Sequence, residues 1–346
     1  MSLNKKKGDD LGVIIQKNKK NLSRFYRSSL MRQQELIFNL ALKSTAAAFI
    51  ILHSLLNIKE IQAYATDFLS HIPENSLIAS AASSVLSGKI KPEVKVSRKG
   101  TNWILNGRKN ICTGYIYADG YLVRAKFKSK NTLFYIPRKS KGLSIGNELK
   151  MLGLEKSTGE VIFKNVKLPL ENIIGKMGKA EEVIKYDNYT GLHFGILALG
   201  ATKRCLNETI GILKRRKIKN LSLIKKIKRE IDTLWNLQKQ NAKRLQQFIS
   251  KNKQSEYVKR NTVLYKNMLC SASIDLIHIL LTVIGKNGYI KSNLIGPLLC
   301  DVYGFYLTYP NIQSAYREGF TPFLPRNARN WSSDLAKASR RLGPRV

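Results

Sequence analysis

Between residues 100 and 175 apolar positions alternate with polar ones in short runs cut by turn residues, whereas beyond residue 180 they recur every three or four residues. The first pattern predicts strands with one buried face and the second predicts amphipathic helices. Tyr121 to Phe127 and Thr132 to Pro137 form one such pair of runs, and Val161 to Pro169 another. Asn106-Gly107, set between Trp103-Ile104-Leu105 and Arg108-Lys109, predicts a hairpin turn. In the helical part Ile224, Ile227, Ile231, Leu234 and Gln238, with Trp235 alongside, draw one stripe, and further helices are expected over 256–284 and 293–307. Upstream, helices are expected around 36–56 and 59–69, preceded by a polar, basic lead that carries Lys5-Lys6-Lys7 and Lys17. The chain thus divides into a frayed lead (1–33), a short helical domain (34–75), a β-domain (76–179) and a helical region (180–346). The fold class is α+β: N-terminal helices, a central antiparallel β-domain and a C-terminal four-helix bundle packed beside it.

Composition fits a globular chain. Its 346 residues are 43% hydrophobic, enough for a substantial core of two or three units. The apolar stretch 36–56 carries Asn39, Lys43, Ser44 and His53, so it reads as a buried or amphipathic helix rather than a membrane span. No secretory leader is evident, and Cys112, Cys205, Cys270 and Cys300 lie far apart without a CxxC or Cys/His cluster. A zinc site and a disulfide framework are excluded on that spacing, and a reducing cytoplasm is the expected setting. The charge changes the picture: 60 Lys+Arg against 23 Asp+Glu give a formal net charge of +37. Such a surface attracts polyanions. Solvated lysine-rich faces such as Lys225, Lys226, Lys228 and Arg229 account for much of it, phosphate-bearing ligands are an alternative, and no nucleic-acid reading module is present.

The order of motifs through the β-region resembles the acyl-CoA dehydrogenase family of flavoproteins. The residues that carry the resemblance are Trp103 to Lys109, Thr113, Ala118-Asp119, Gly142, Leu152-Gly153, Val161 to Pro169 and Glu171 to Gly175. It continues through Gly200 and Arg204, the turn Ile284-Gly285-Lys286-Asn287-Gly288-Tyr289 and Leu299-Cys300-Asp301, and covers roughly residues 40 to 325. It implies bound FAD, an acyl-CoA or other acyl thioester as substrate, an electron-transfer partner or flavin reductase, and a homodimer or homotetramer.

Flavin chemistry in such a fold needs three things. The first is a hydrogen-bonding wall for the polar edge of the ring, so that negative charge can build there during reduction. Ile111-Cys112-Thr113-Gly114 occupies the place of the family's short strand, which makes the Thr113 hydroxyl, with Cys112 beside it, the candidate flavin contact; the other reading is a plain strand threonine. The second is a cradle for the pyrophosphate, for which Gly285, Lys286 and Gly288 are the candidates. The resemblance adds Arg216, sixteen residues after Gly200, as an arginine that reaches the dinucleotide of a neighbouring subunit. Two departures stand out: Ile218-Lys219-Asn220 replaces an aromatic-glycine pair, and Ile78 to Ser84 replaces a Thr-Glu-Pro-Gly-type loop.

The third need is a base for the α-proton. The family's commonest glutamate lies eight residues after the aspartate matched by Asp301, and that place holds Tyr309, followed by Pro310. A second family location corresponds to Asn188, Tyr189, Thr190 and Gly191, with Asp187 the nearest acid and a helix cap its other reading. Glu318 falls nine residues late. His193 and His53 are either cavity groups or core histidines. The usual base is therefore absent, and three readings follow: acyl-CoA dehydrogenase-like oxidation with a displaced base, flavin-dependent monooxygenation with His193 or Tyr309 near the ring, or a non-catalytic binding or scaffold protein.

Overall fold

The structure, a computed structural model, describes residues 11–82, 93–184, 190–218, 221–249, 256–290 and 294–308. It opens with four helices, α1 (Leu11–Lys19), α2 (Leu22–Tyr26), α3 (Leu30–Ala41) and α4 (Thr45–Tyr64). The stretch expected to be a frayed lead thus contains α1 and α2. Ile14, Ile15 and Leu22 are buried in the main core, so tertiary contact holds these short, basic helices where propensity would not. The apolar run 36–56 is not one helix. Helix α3 ends at Ala41, and Ser44 starts α4, its hydroxyl accepting the amide of Ala47 at 3.1 Å, as Ser29 starts α3 by accepting from Arg32.

Helix α4 is buried on nearly every face. It lies between the sheet and the other helices and is tied to the sheet by Asn57, whose amide donates to the Ile78 carbonyl at 2.8 Å. The Ser54 hydroxyl accepts from the Ile78 amide at 2.9 Å. No lipid-facing stripe remains.

The sheet contains β1 (Ile78–Ala81), β2 (Val94–Lys99), β3 (Asn102–Thr113), β4 (Gly120–Phe127), β5 (Lys130–Pro137), β6 (Leu143–Glu148), β7 (Thr158–Pro169) and β8 (Ile173–Ile174). Its order is β6-β7-β3-β1-β4-β5-β8, with β2 also between β3 and β4. The expected antiparallel sheet is in fact mixed: β1 and β2 lie end to end in the gap between β3 and β4, each antiparallel to β3 and parallel to β4. The β4–β5 hairpin forms as the alternation predicts.

Asn106-Gly107 is not a hairpin turn. The β2–β3 turn falls at Gly100, and β3 runs through Asn106-Gly107 with a bulge against β7. Gly107 has φ +126° and lets the Glu93 carbonyl come in to accept the Arg108 amide at 3.2 Å, in space that a Cβ would occupy. Asn106 instead bonds across to Asn165, which occupies the left-handed region at φ +53° and donates its amide to the Asn106 side chain at 2.8 Å.

Beyond the sheet come α5 (Ala180–Ile184), α6 (Thr190–Arg215), α7 (Ser222–Ile249), α8 (Glu256–Ile284) and α9 (Ile295–Leu307). Helix α6 is the axis of the helical region, packing against α3, α4, α7, α8 and α9. Helix α8 is long and apolar enough to cross a membrane over Asn261–Ile284, and more than half of that stretch is buried against the rest of the protein. Gly107→Ala is expected to destabilise the protein by about 2 kcal/mol or more, through the positive φ and the clash with Glu93. Urea unfolding measures this, and an unchanged midpoint would contradict the bulge geometry.

Candidate active site

The site forms where the ends of three strands meet the helices. Thr113, the last residue of β3, pairs with Ser80 of β1 on one side and Thr158 of β7 on the other. Its hydroxyl lies 3.4 Å from that of Thr158, which lies 3.2 Å from the hydroxyl of Ser157, and all three residues are buried. Contacts this long leave bonding capacity on each oxygen. Gly114, at φ +85°, turns the chain away, and its Cα comes so close to α4 that a Cβ would stand 3.3 Å from the Ile50 side chain. Cys112 sits one residue before Thr113 with its thiol in the main core, where burial pushes its pKa far above the ordinary range and keeps it neutral.

Asp301 of α9 joins this edge to the helices. The Thr45 hydroxyl donates to one carboxylate oxygen, and the Leu154 amide donates to the other at 2.6 Å. Gly153 packs so tightly on Asp301 and Cys300 that a Cβ there would meet the Asp301 amide at 2.7 Å. Burial pushes the Asp301 pKa up to about 6, against the pull of the Thr45 hydroxyl, the Leu154 amide and Arg204. The Leu152-Gly153 and Leu299-Cys300-Asp301 motifs therefore meet.

On the helix side Phe49 and His53 of α4 pack with Phe194 of α6 and Phe305 of α9; the Phe49 ring lies 4.6 Å from that of His53 and 5.9 Å from that of Phe305. Ile50 follows Phe49 in α4, so one helix carries both the contact to Gly114 and the aromatic cluster. His193 also lies in the α6 interior. Among the described residues neither of its ring nitrogens has a hydrogen-bond partner, nor has His53 Nε2. Burial lowers the pKa of His53 to about 4, and burial together with the Lys59 charge lowers that of His193 to about 3. Both imidazoles are neutral at pH 7, and neither is a strong base. Asp187 and Tyr309 lie outside the described residues.

Lys266 of α8 is a residue that sequence reasoning missed. It is fully buried, and its ammonium donates to the Tyr306 carbonyl at 3.3 Å and to that of Thr308 at the end of α9. Its one sequence signal is position. Val263, Leu269 and Cys270 lie three or four residues away on the buried side of α8.

The phosphate-binding candidates assemble elsewhere. Arg216 donates to the Ile284 carbonyl at 3.2 Å, just before the turn that holds Gly285, Lys286 and Gly288. Gly285 has φ +66° with open space where a side chain would stand, whereas a Cβ on Gly288 would run into Leu281 at 2.6 Å. Gly285 thus offers an open backbone, while Gly288 serves the fold of the turn. Arg216 and His193 lie towards opposite ends of α6, about 34 Å apart by helical rise.

No protein-family model matches the chain. Over 127 residues it is 33% identical to the short-chain-specific acyl-CoA dehydrogenase of Clostridium acetobutylicum, a match covering 34% of this chain and 33% of that protein. Over 214 residues it is 28% identical to the 3-(aryl)acrylate reductase of Clostridium sporogenes, covering 59% of this chain and 56% of that protein. The matches span from a fifth to just over half of the length of the first curated relatives. Among solved structures, butyryl-CoA dehydrogenase from Megasphaera elsdenii superposes with a TM-score of 0.75 at 16% identity, covering 89% of this chain and 88% of that one. Dibenzothiophene monooxygenase from Paenibacillus gives a TM-score of 0.71 at 14% identity, covering 90% and 95%. The fold is therefore that of the acyl-CoA dehydrogenases. The curated homologues of the chain are acyl-CoA dehydrogenases and related reductases.

Three buried hydroxyls with spare bonding capacity suit the polar edge of an isoalloxazine ring. The open glycine at Gly285, with Lys286 and Arg216, suits a pyrophosphate. The donor sets fit a flavin dinucleotide.

The buried histidines and Asp301 set opposite pH trends in stability. A histidine held neutral in the folded state loses stability as pH falls below 6.5, by about 3 kcal/mol each at pH 4. Asp301, whose folded pKa is raised, contributes in the other direction: its stabilisation is complete below pH 4 and is lost as pH rises through 6. Wild type should therefore weaken between pH 6.5 and 4, and His193→Leu should lose only part as much. Urea unfolding across that range measures it, and equal slopes would refute the assignment.

Proposed function

We propose that this protein is an FAD-dependent oxidoreductase of the acyl-CoA dehydrogenase type, acting at the CH–CH bond of an acyl-CoA or other acyl thioester. The observation that carries this reading is the cluster of Thr113, Ser157 and Thr158 hydroxyls, placed beside α4 in this fold. A flavin bound there supplies the two-electron acceptor. Thr113 and its neighbours donate to the ring edge, where charge develops. Arg216, Lys286 and the Gly285 turn hold the phosphates, and the likeness in fold to butyryl-CoA dehydrogenase favours a homodimer or homotetramer in which one copy's Arg216 serves the other copy's dinucleotide. The aromatic cluster of Phe49, Phe194 and Phe305 keeps water from the acyl side.

Tyr309 takes the place of the usual glutamate, eight residues after Asp301, so the proton is handled by another group. His193 and His53, neutral with lowered pKa values, are weak bases for that task. The absent carboxylate favours a second reading, flavin-dependent monooxygenation, which the similarity in fold to dibenzothiophene monooxygenase supports. The first reading needs an electron-transfer partner and the second a flavin reductase; a cytoplasmic setting suits the four unpaired cysteines.

The visible spectrum of the purified protein tests both readings. A flavin band that bleaches on anaerobic addition of an acyl-CoA mixture is the expected result. A band that persists, with reduced flavin that reacts with oxygen, supports monooxygenation instead. No band after reconstitution with FAD would sink both. Thr113→Val is expected to weaken FAD binding about tenfold, through one lost hydrogen bond, as measured by fluorescence titration.

A further inference from the structure

Beyond Thr113 the chain turns, and the groups that hold this turn come from other strands. The Gly114 amide donates to the Ser157 carbonyl at 2.7 Å, and the Gly114 carbonyl accepts the Tyr117 and Ala118 amides at 2.9 and 3.1 Å. These bonds stitch residues 114–118 across the ends of β3 and β7. The Tyr115 ring lies on Gly159, where a Cβ would run into it; Gly159 follows Thr158 and pairs with Cys112. An aromatic ring carried by the turn is thus packed directly beside the Thr113 and Thr158 hydroxyl pair.

The Tyr115 carbonyl is taken up by side chains from β4 and from the end of β5. The Tyr121 phenol donates to it at 2.7 Å, and Nη1 of Arg138 donates to it at 3.1 Å and also to the Tyr121 oxygen. The guanidinium carbon lies 5.9 Å from the centre of the Tyr121 ring. The hairpin sets the place of Arg138, since Pro137 closes β5 opposite Gly120 and the Arg138 amide donates to the Asp119 carbonyl at 2.8 Å. Tyr121 is fully buried, and burial pushes its phenol up to about 12, so it keeps the proton it donates. A carbonyl that accepts from a phenol is already satisfied. The guanidinium therefore adds a second hold and a charge rather than a missing bond.

We propose that Arg138 is a positioning residue of the ring-edge cluster, locking the turn after Thr113 and fixing a positive charge beside the Thr113 and Thr158 hydroxyls. The inference rests on the proposed flavin reading for its consequence on the cofactor, but not for the lock itself. Burial pushes the Cys112 thiol far up, and the Arg138 charge pulls it back, so the field of the guanidinium reaches the residue next to Thr113. A cation held there stabilises the negative charge that builds at the polar edge of a flavin on reduction. Lock and charge act on the same end of β3, and neither involves Arg216 or Lys286 at the phosphate turn.

The test uses the full chain with Arg138→Met, which removes the charge and the donors, Arg138→Lys, which keeps the charge, and Tyr121→Phe, which removes the phenol alone. In hydrogen exchange followed by mass spectrometry, amides of residues 114–118 should exchange about tenfold faster in R138M and about threefold faster in Y121F, with those of α8 unchanged. FAD should bind R138M about tenfold more weakly in fluorescence titration. At saturating FAD, the two-electron midpoint potential of the bound flavin should fall by about 30 mV in R138M, a tenfold shift in the equilibrium, and keep its wild-type value in R138K. Unchanged exchange at 114–118 in R138M, or equal acceleration throughout the chain, would overturn the proposal. Faster exchange there with FAD affinity and potential unchanged would reduce Arg138 to a structural brace and overturn the positioning role. If wild type binds no FAD, the flavin reading fails on wild type alone and takes this role with it. If wild type binds FAD and R138M matches it, only the role of Arg138 fails.

Discussion

The helices and the sheet are joined through one carboxylate. Asp301 receives the Thr45 hydroxyl from the start of α4 and the Leu154 amide from the connection between β6 and β7, while it sits in α9 itself. Three parts of the chain, as much as 256 residues apart, are referred to a single group. Because Thr45 opens α4, the same contact sets the height of Ile50 against Gly114 and of Phe49 against Phe194 and Phe305. Because Leu154 shortly precedes Ser157 and Thr158, it also sets the hydroxyl cluster. The cost of burying the carboxylate shows in its raised pKa, and the short, direct bonds offset it.

Around that junction the interior is more polar than a helical core requires. His53 and His193 are buried, neutral and incompletely bonded, and Gln34 and Gln238 pair with each other at 3.3 Å while an atom of each stays unbonded. Such groups destabilise a core unless something else uses them. They lie on α3, α4, α6 and α7, the helices that surround the aromatic cluster or adjoin it. Beside the Phe49 and Phe194 rings, His53 Nε2 thus stays without a hydrogen-bond partner among the described residues.

Much of the architecture was legible in the sequence where local pattern and tertiary fate agree. The strands from Tyr121 to Phe127 and from Thr132 to Pro137 pair as their alternation implies, and Thr113 and Leu152-Gly153 stood out as motifs. Asn106-Gly107 misled because glycine serves a bulge as readily as a turn, and only the approach of the Glu93 carbonyl tells them apart. The helices α1 and α2 were missed because their stability comes from burying Ile14, Ile15 and Leu22 against distant elements. The meeting of Gly153 with Asp301 spans too much chain for any local signal, and Lys266 was missed because only its place on the buried side of α8 marks it.

The lysine excess bears on the kind of chemistry the interior can hold. With 60 basic residues and 23 acidic ones, most cations have no acid to pair with. The ion pairs among the described residues, such as Lys19 with Asp119 and Arg124 with Glu181, lie at exposed or half-exposed positions. Inside, the Lys266 ammonium donates to the Tyr306 and Thr308 carbonyls beside the Phe194 ring, and Asp301 is committed to holding three elements together. Among the described residues the buried polar groups are hydroxyls, side-chain amides, neutral imidazoles, the lysines Lys109 and Lys266, and the carboxylates of Glu60 and Asp301. Of the residues described at the site, Thr113, His53, His193 and Asp301, only Asp301 carries a carboxylate, and it already holds the Thr45 hydroxyl and the Leu154 amide.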